Sequence, residues 1–378
     1  MRLAFLVRHC DPYSGGAERY AYELIHHLSP RHECHVFCID HVQMEKVTFH
    51  RFKAAWRKMR WMGLLQFASW AHSEIRNGSF DAVYSNENAG FGDIQMVHVR
   101  PVRHDLFHQE WARLCLNAIK TALSPRLWCY LGLEAMRFRS RPGRFLVAPS
   151  EMTASQLIHD LNCPPSVVKT VLPGVHQAKV VADREEFRAR LGLTASNCLM
   201  LMVAHDLEKK GLQAVIQAMH QLPEEFHLLC TKDKEHQLHW EHQVLKAGLS
   251  QRVHWLSKSE PLDTAYESAD VLVHPTKADV YGMVLLEAMA HGLPVVCTSA
   301  PYCGAAWSWT HLNQAWLIDS PDDIQSLVCG VRELRSNDKL RARLIQTGRA
   351  LADQQKWVNV ANEIERLLEQ SSRSSTTS

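Results

Sequence analysis

The apolar positions of this chain fall into short continuous runs separated by stretches of helical spacing. Leu3 to Val7 is one such run, followed by a polar stretch that ends in Gly15-Gly16. Ala17, Tyr20, Ala21, Leu24, Ile25 and Leu28 then recur at three- and four-residue steps, which gather side chains on one helix face. Glu33 to Ile39 reads as a strand again. Strand, glycine loop, helix and strand form a βαβ unit that starts at residue 3. Further strands are predicted at Ala82–Tyr84, Ile94–Val99, Phe145–Ala148 and Thr170–Leu172. The same grammar restarts at Cys198–Val203 and runs through His227–Cys230, Val253–Trp255, Val271–His274 and Pro294–Cys297. Two successive α/β domains account for this better than one long sheet. Pro173-Gly174, after a strand and before a polar segment, marks the hinge. The first domain is therefore expected over residues 1–173 and the second over 174–353. A last helix, about 354–370, is able to pack back on the first domain. Ser371 to Ser378 has almost nothing to bury and is expected to be a disordered tail.

Composition agrees with two cores: 46% of the 378 residues are apolar and 22% charged, which excludes a disordered or collagen-like chain. No uninterrupted apolar run approaches the roughly 18 residues that cross a bilayer. Leu3 to Val7 is also too short for a secretory signal. Eleven cysteines without a CxxC favour neither a disulfide framework nor a zinc ribbon, so a reducing cytosol is expected. The net charge of +2 is unevenly shared. Residues 1–170 hold 21 Lys and Arg against 15 Asp and Glu, and the remainder 21 against 25. The first half is thus the one suited to an anionic partner.

Two segments suggest a phosphate-bearing ligand. Gly15-Gly16 opens the first helix, where small residues let backbone N–H groups approach a phosphate or sugar. An ordinary tight turn reads the same way. The stronger signal is Asp279-Val-Tyr-Gly-Met-Val-Leu-Leu-Glu287-Ala-Met-Ala-His-Gly-Leu-Pro-Val-Val296. Gly282 precedes a helix and Gly292-Leu-Pro294 ends it. Asp279 then stands in the loop before the helix and Glu287 within its second turn. Acceptors on either side of an amide-rich helix start suit a ligand with hydroxyls at both ends and phosphates between.

These motifs resemble the retaining nucleotide-sugar glycosyltransferases of family 4. Gly15-Gly16-Ala-Glu-Arg19 is similar to that family's N-terminal glycine loop, Pro149-Ser150-Glu151 to its S-E element, and Leu172-Pro-Gly-Val175 to its hinge strand. Lys210-Gly211 resembles the K-G donor element, and Asp279-x7-Glu287 the E-x7-E motif. Within the family the pattern is nearest to the lipopolysaccharide core glucosyltransferases. The resemblance implies an α/β GT-B fold of two Rossmann-like domains facing across a cleft. It implies a nucleotide-sugar donor, expected to be a UDP-hexose, with no other cofactor and no metal. His98, Lys210 and Asp279 would be the catalytic residues. Gly15, Gly16, Lys209, Gly282, Met283, Val284 and Glu287 would bind the donor. Glu287 would take ribose hydroxyls, Asp279 the sugar, the amides at Gly282 to Val284 the diphosphate, and His98 the transferred hexose. Asp279 stands where the motif has Glu, one methylene longer, and Ala204-His205 where an Arg is common; Lys209 would supply the second positive charge.

Other constellations are weaker. His236, His239 and His242 with Glu235 and Glu241 lack any zinc signature and read as a solvated helix. From Lys46 to Ser73 six basic residues and no acid alternate with Trp56, Trp61, Met62, Leu64, Leu65, Phe67 and Trp70. From Arg100 to Arg144 nine basic residues meet three acids, beside Trp111 and Trp128. Such segments suit either an anionic lipid surface or a core helix with a solvated basic face. No nucleic-acid recognition motif accompanies the charge. The expected protein is a cytoplasmic retaining hexosyltransferase, peripheral on the inner face of the cytoplasmic membrane, that acts on a lipid-linked or oligosaccharide acceptor such as lipopolysaccharide core. A nucleotide-sugar 2-epimerase and a non-catalytic membrane-associated subunit are the alternatives.

Overall fold

Burial explains why the apolar runs become strands. Leu3 to Leu6 have no accessible surface, as expected of a strand covered on both faces in a parallel sheet. The computed structural model describes residues 1–13, 15–53, 60–88, 91–107, 121, 124–178, 183–233, 236–257 and 260–376. They form two compact units, residues 1–174 with 357–378, and residues 175–356.

The strands of the first unit are β1 (Arg2–Leu6), β2 (His9–Cys10), β3 (Glu33–Cys38), β4 (Asp40–His41), β5 (Val47–Arg51), β6 (Ala82–Ser85), β7 (Ile94–Met96), β8 (Phe145–Ala148) and β9 (Val168–Thr170). Seven of them make one parallel sheet in the order β5-β3-β1-β6-β7-β8-β9, while β2 and β4 pair separately. The second unit holds β10 (Cys198–Met202), β11 (Phe226–Cys230), β12 (Val253–Trp255), β13 (Val271–His274), β14 (Val295–Thr298) and β15 (Trp316–Ile318). Their order is β12-β11-β10-β13-β14-β15, all parallel. Both sheets grow outward in two directions from their first strand, so each has a switch point where consecutive connections diverge. In the second unit it lies between β10 and β13, and in the first between β1 and β6. Ligands of open α/β sheets sit beyond the carboxyl ends of strands at this point.

Three expectations are corrected. The strand predicted over Ile94–Val99 stops at Met96. Val97 N still bonds Val147 O at 2.9 Å, but the Met96 carbonyl is taken by the Arg137 guanidinium at 2.6 Å, which leaves His98 in the following loop. The terminal tail is not disordered from residue 371: the last helix runs Trp357–Thr376, and Ser371 is buried. Its apolar face, with Val360, Ala361, Ile364, Leu367 and Leu368 buried, carries the turns beyond it into order. Finally, the basic segment 46–73 is not one amphipathic surface. Val47–Arg51 is an edge strand, and the helix Arg60–Asn77 turns Leu64, Phe67 and Ala71 into the core. Trp70 packs on Phe37, Phe52 and Phe67. Trp56, Arg57, Lys58 and Trp111 lie outside the described residues.

Candidate active site

The residues singled out above divide between the units. Gly15, Gly16 and His98 belong to the first, and Lys209, Lys210, Asp279, Gly282, Met283, Val284 and Glu287 to the second.

In the second unit the switch point brings together the loops that follow β10 and β13. Gly211 caps the helix Leu212–Met219 with φ +87°, and a side chain there would collide with the Pro275 carbonyl oxygen. Only glycine lets the two loops touch. The contact is completed by Lys277 N donating to Lys209 O at 2.9 Å. Lys209 thus anchors by its backbone while its side chain is exposed. Lys210 turns inward instead, and its Nζ forms an ion pair with Asp279 Oδ2. The Asp279 backbone is clamped by bonds to Tyr302 O (2.8 Å) and from Gly304 N (3.0 Å).

His274, the last residue of β13, donates from Nε2 to the same Asp279 oxygen at 3.1 Å. Its Nδ1 is buried with no partner among the described residues. Burial holds the imidazole pKa below its ordinary value, so it is neutral, and the bond to the carboxylate assigns its proton to Nε2. Burial would raise the Asp279 pKa, but Lys210 and His274 outweigh it and hold the carboxyl well below the usual range. The constellation is a fixed anion between a cation and a neutral donor.

Gly282 (φ +99°) starts the helix Met283–Ala290. The amides of Gly282, Met283 and Val284 have no acceptor among the described residues, so a helix start with unspent donors lies three residues beyond Asp279. Glu287 is buried on this helix and accepts from Tyr266 Oη at 2.8 Å.

In the first unit Gly15 and Gly16 open the helix Gly16–Leu28 at the carboxyl end of β1, and Asn86 Nδ2 ties the loop after β6 to Ala17 O at 3.0 Å. His98 lies edge-on to Tyr20, with ring centroids 5.1 Å apart, and its Nε2 is sealed from solvent without a partner among the described residues. Burial, and then the Arg137 charge, push its pKa down to about 3.

Residues 14–179 match the family model described as Glycosyltransferase Family 4, and residues 183–351 the one described as Glycosyl transferases group 1. The chain belongs to the family 4 glycosyltransferases. Among relatives of the family, the chain is 26% identical to the lipopolysaccharide glucosyltransferase WaaG of Escherichia coli (strain K12) over 241 residues, which is 62% of this chain and 64% of that protein. It is 25% identical over 161 residues to the lipopolysaccharide core biosynthesis glycosyltransferase LpsE of Rhizobium meliloti, covering 43% of this chain and 46% of the relative. The aligned stretches thus span less than two thirds of these relatives. The crystal structure of WaaG superimposes with a TM-score of 0.84 at 20% identity, covering 97% of this chain and 99% of the other. Anabaena HepE in complex with UDP-glucose superimposes with 0.74 at 18% identity, covering 98% and 99%. These likenesses identify the fold as GT-B.

His274 and Tyr266 were not legible as members of a family 4 site. The single polar residue closing the apolar run Val271-Leu-Val-His274 was the signal for the first; nothing in the sequence marks the second. His236, His239 and His242 lie on an exposed helix edge, Glu235 is outside the described residues, and no group of three or more His, Cys, Asp or Glu among the described residues is placed to hold a metal.

Proposed function

We propose that the chain transfers a hexose from a UDP-sugar to a lipid-linked glycan, with retention of anomeric configuration, at the inner face of the cytoplasmic membrane. The observation that carries the donor reading is the convergence of Lys210, Asp279, the unspent amides of Gly282–Val284 and buried Glu287 at one switch point. That set offers a cation and N–H donors for a diphosphate, with carboxylates for hydroxyls on either side. Lys210 and the amides would stabilise charge as the sugar–phosphate bond breaks. The leaving diphosphate would accept the proton of the incoming hydroxyl on the face from which it departs, so no protein nucleophile is required. Asp279 would hold the ammonium in place between turnovers and orient the hexose. HepE binds UDP-glucose in its solved structure, WaaG is named as a lipopolysaccharide glucosyltransferase and LpsE as a lipopolysaccharide core biosynthesis glycosyltransferase; these support the donor and acceptor classes.

The test is a thermal-shift screen against nucleotide sugars followed by transfer assays with a core oligosaccharide. A UDP-hexose should raise the melting temperature most, since a ligand stabilises with its saturation. Lys210→Ala should lower turnover by roughly 10²-fold or more, and EDTA should leave the rate unchanged. Turnover of Lys210→Ala near that of the wild type would remove the lysine from the mechanism. An inverted anomeric signal in the product would overturn retention.

A further inference from the structure

A cavity lies at the edge of the donor-side sheet opposite the candidate active site. It has a volume of about 290 Å³ and is lined by Cys198, Asp270, Val271 and Pro294 together with Arg184, Arg335 and Arg341. Cys198 and Val271 are the first residues of β10 and β13, and Pro294 directly precedes β14. The cavity therefore sits at the amino ends of three adjacent strands, whereas His274 closes the carboxyl end of β13 and Lys210 and Asp279 lie in the loops beyond the carboxyl ends. Strands of four or five residues at about 3.3 Å per residue separate the two edges.

Its charge is unbalanced. Asp270 is the single acid lining it, and that carboxylate is already divided between Arg184 (2.5 Å) and Arg188 (3.0 Å). Arg335 gives Nη2 to the carbonyls of Ala195 and Ser196, which leaves Nε and Nη1 without partners among the described residues. Arg341 is held by Asp338 and by the carbonyls of Leu334 and Arg335, with its Nε unspent. A further guanidinium, that of Arg349, packs against Gly292 in the lining and has no ion pair among the described residues. Backbone carbonyls fix the Arg335 fork without neutralising it, whereas Arg341 also carries an ion pair to Asp338 at 2.7 Å. Guanidinium forks with spare N–H groups match the oxygens of a phosphate dianion. The volume is at the low end of the roughly 300–1,000 Å³ of ligand clefts, enough for a small phosphorylated molecule and too little for a nucleoside diphosphate sugar.

We infer that this cavity binds the phosphate group of a small phosphomonoester, at a site separate from the donor site. The ester and free phosphate share the recognised chemistry, so both are probes. Glucose 6-phosphate and inorganic phosphate are each titrated calorimetrically into the full chain at matched ionic strength. At least one of them should bind once per chain, and its preference over the other tells whether the ester body contributes. Lys210→Ala, which disables the donor side, should change that affinity by less than twofold. Arg335→Ala combined with Arg341→Ala should weaken it at least tenfold. Ile345→Trp fills the cavity without touching an ion pair, and it should weaken binding as much even if the double variant folds poorly. Absence of binding by both probes overturns the inference. So does loss of binding in Lys210→Ala, which would place the anion at the donor site, or unchanged affinity in Ile345→Trp.

Discussion

Asp279, Gly211 and His98 show how much of the chemistry rests on single groups whose surroundings were invisible in the sequence. The spacing of Asp279 and Glu287, with seven residues between them, was legible because both lie on one loop–helix segment. Their partners were not: His274 reaches Asp279, and Tyr266 reaches Glu287, only through the packing of neighbouring strands and helices. Gly211→Ala is expected to destabilise the second unit by about 1–3 kcal/mol from its left-handed backbone alone, with the Pro275 collision added. It should also move Lys210, so donor affinity falls with the melting temperature; a variant with wild-type affinity would show that the two loops do not need this contact. His98 makes a prediction with a sign. Its folded pKa of about 3 lies below the ordinary 6.5, so the unfolded chain gains a proton as the pH drops through 6.5 while the folded chain does not. Stability therefore falls toward acid, by about 2 kcal/mol between pH 7 and pH 5. His98→Gln should flatten this slope in urea unfolding at the two pH values. Equal slopes would mean that His98 takes up a proton in the folded state.

Among the elements, the helix Pro125–Arg137 is the one that keeps a membrane-facing reading alive. Trp128 is 61% exposed and Met136 51%, and Arg126 on the same helix and Arg139 and Arg141 just after it are exposed as well. Leu133 and Glu134 point the other way, and Glu134 caps the helix Val102–Phe107 by accepting from Val102 N (2.5 Å) and Arg103 N (3.0 Å). Each basic residue near an anionic surface contributes about 1 kcal/mol. Charge reversal at Arg126, Arg139 and Arg141 together with Trp128→Ser should reduce co-sedimentation with anionic liposomes and leave nucleotide-sugar binding intact. Equal sedimentation of the wild type with neutral liposomes would sink the idea. The other basic segment misled because its aromatic residues alternate with charge as they would on a lipid surface. Only tertiary packing shows that Phe67 and Trp70 are spent on β3 and its neighbours. Strands buried on both faces, such as β1 and β10, were legible because a parallel sheet demands continuous apolar runs. Their ends were less so, since the Arg137 bond that stops β7 comes from 41 residues away.

The whole molecule is organised by a chain that leaves its first unit after Gly174 and returns to it at Trp357. The returning helix is not an appendage. Trp357 stands over Gly174, where a Cβ would lie 2.6 Å from its ring, and packs edge-on to Tyr20 at 5.3 Å. Glu365 pairs with Arg31 (2.7 Å) and His32 (2.5 Å). Burying several large apolar side chains at about 1.5–3 kcal/mol each matches the whole stability of a typical domain, about 5–15 kcal/mol. Deleting residues 357–378 should therefore abolish the unfolding transition of the first unit in calorimetry and leave that of the second. Persistence of both transitions would show that the first unit stands without its last helix. The same threading sets an order of events during synthesis. At roughly 5–20 residues per second, the segment 175–356 takes on the order of 10–40 s to emerge. Through that interval the nascent first unit waits with Tyr20 and the socket beside Gly174 uncovered, whereas the second unit is complete as soon as residue 356 has emerged. The half of the protein made first is the half completed last, and ribosome-bound chains ending before residue 357 should recruit chaperones to that open socket.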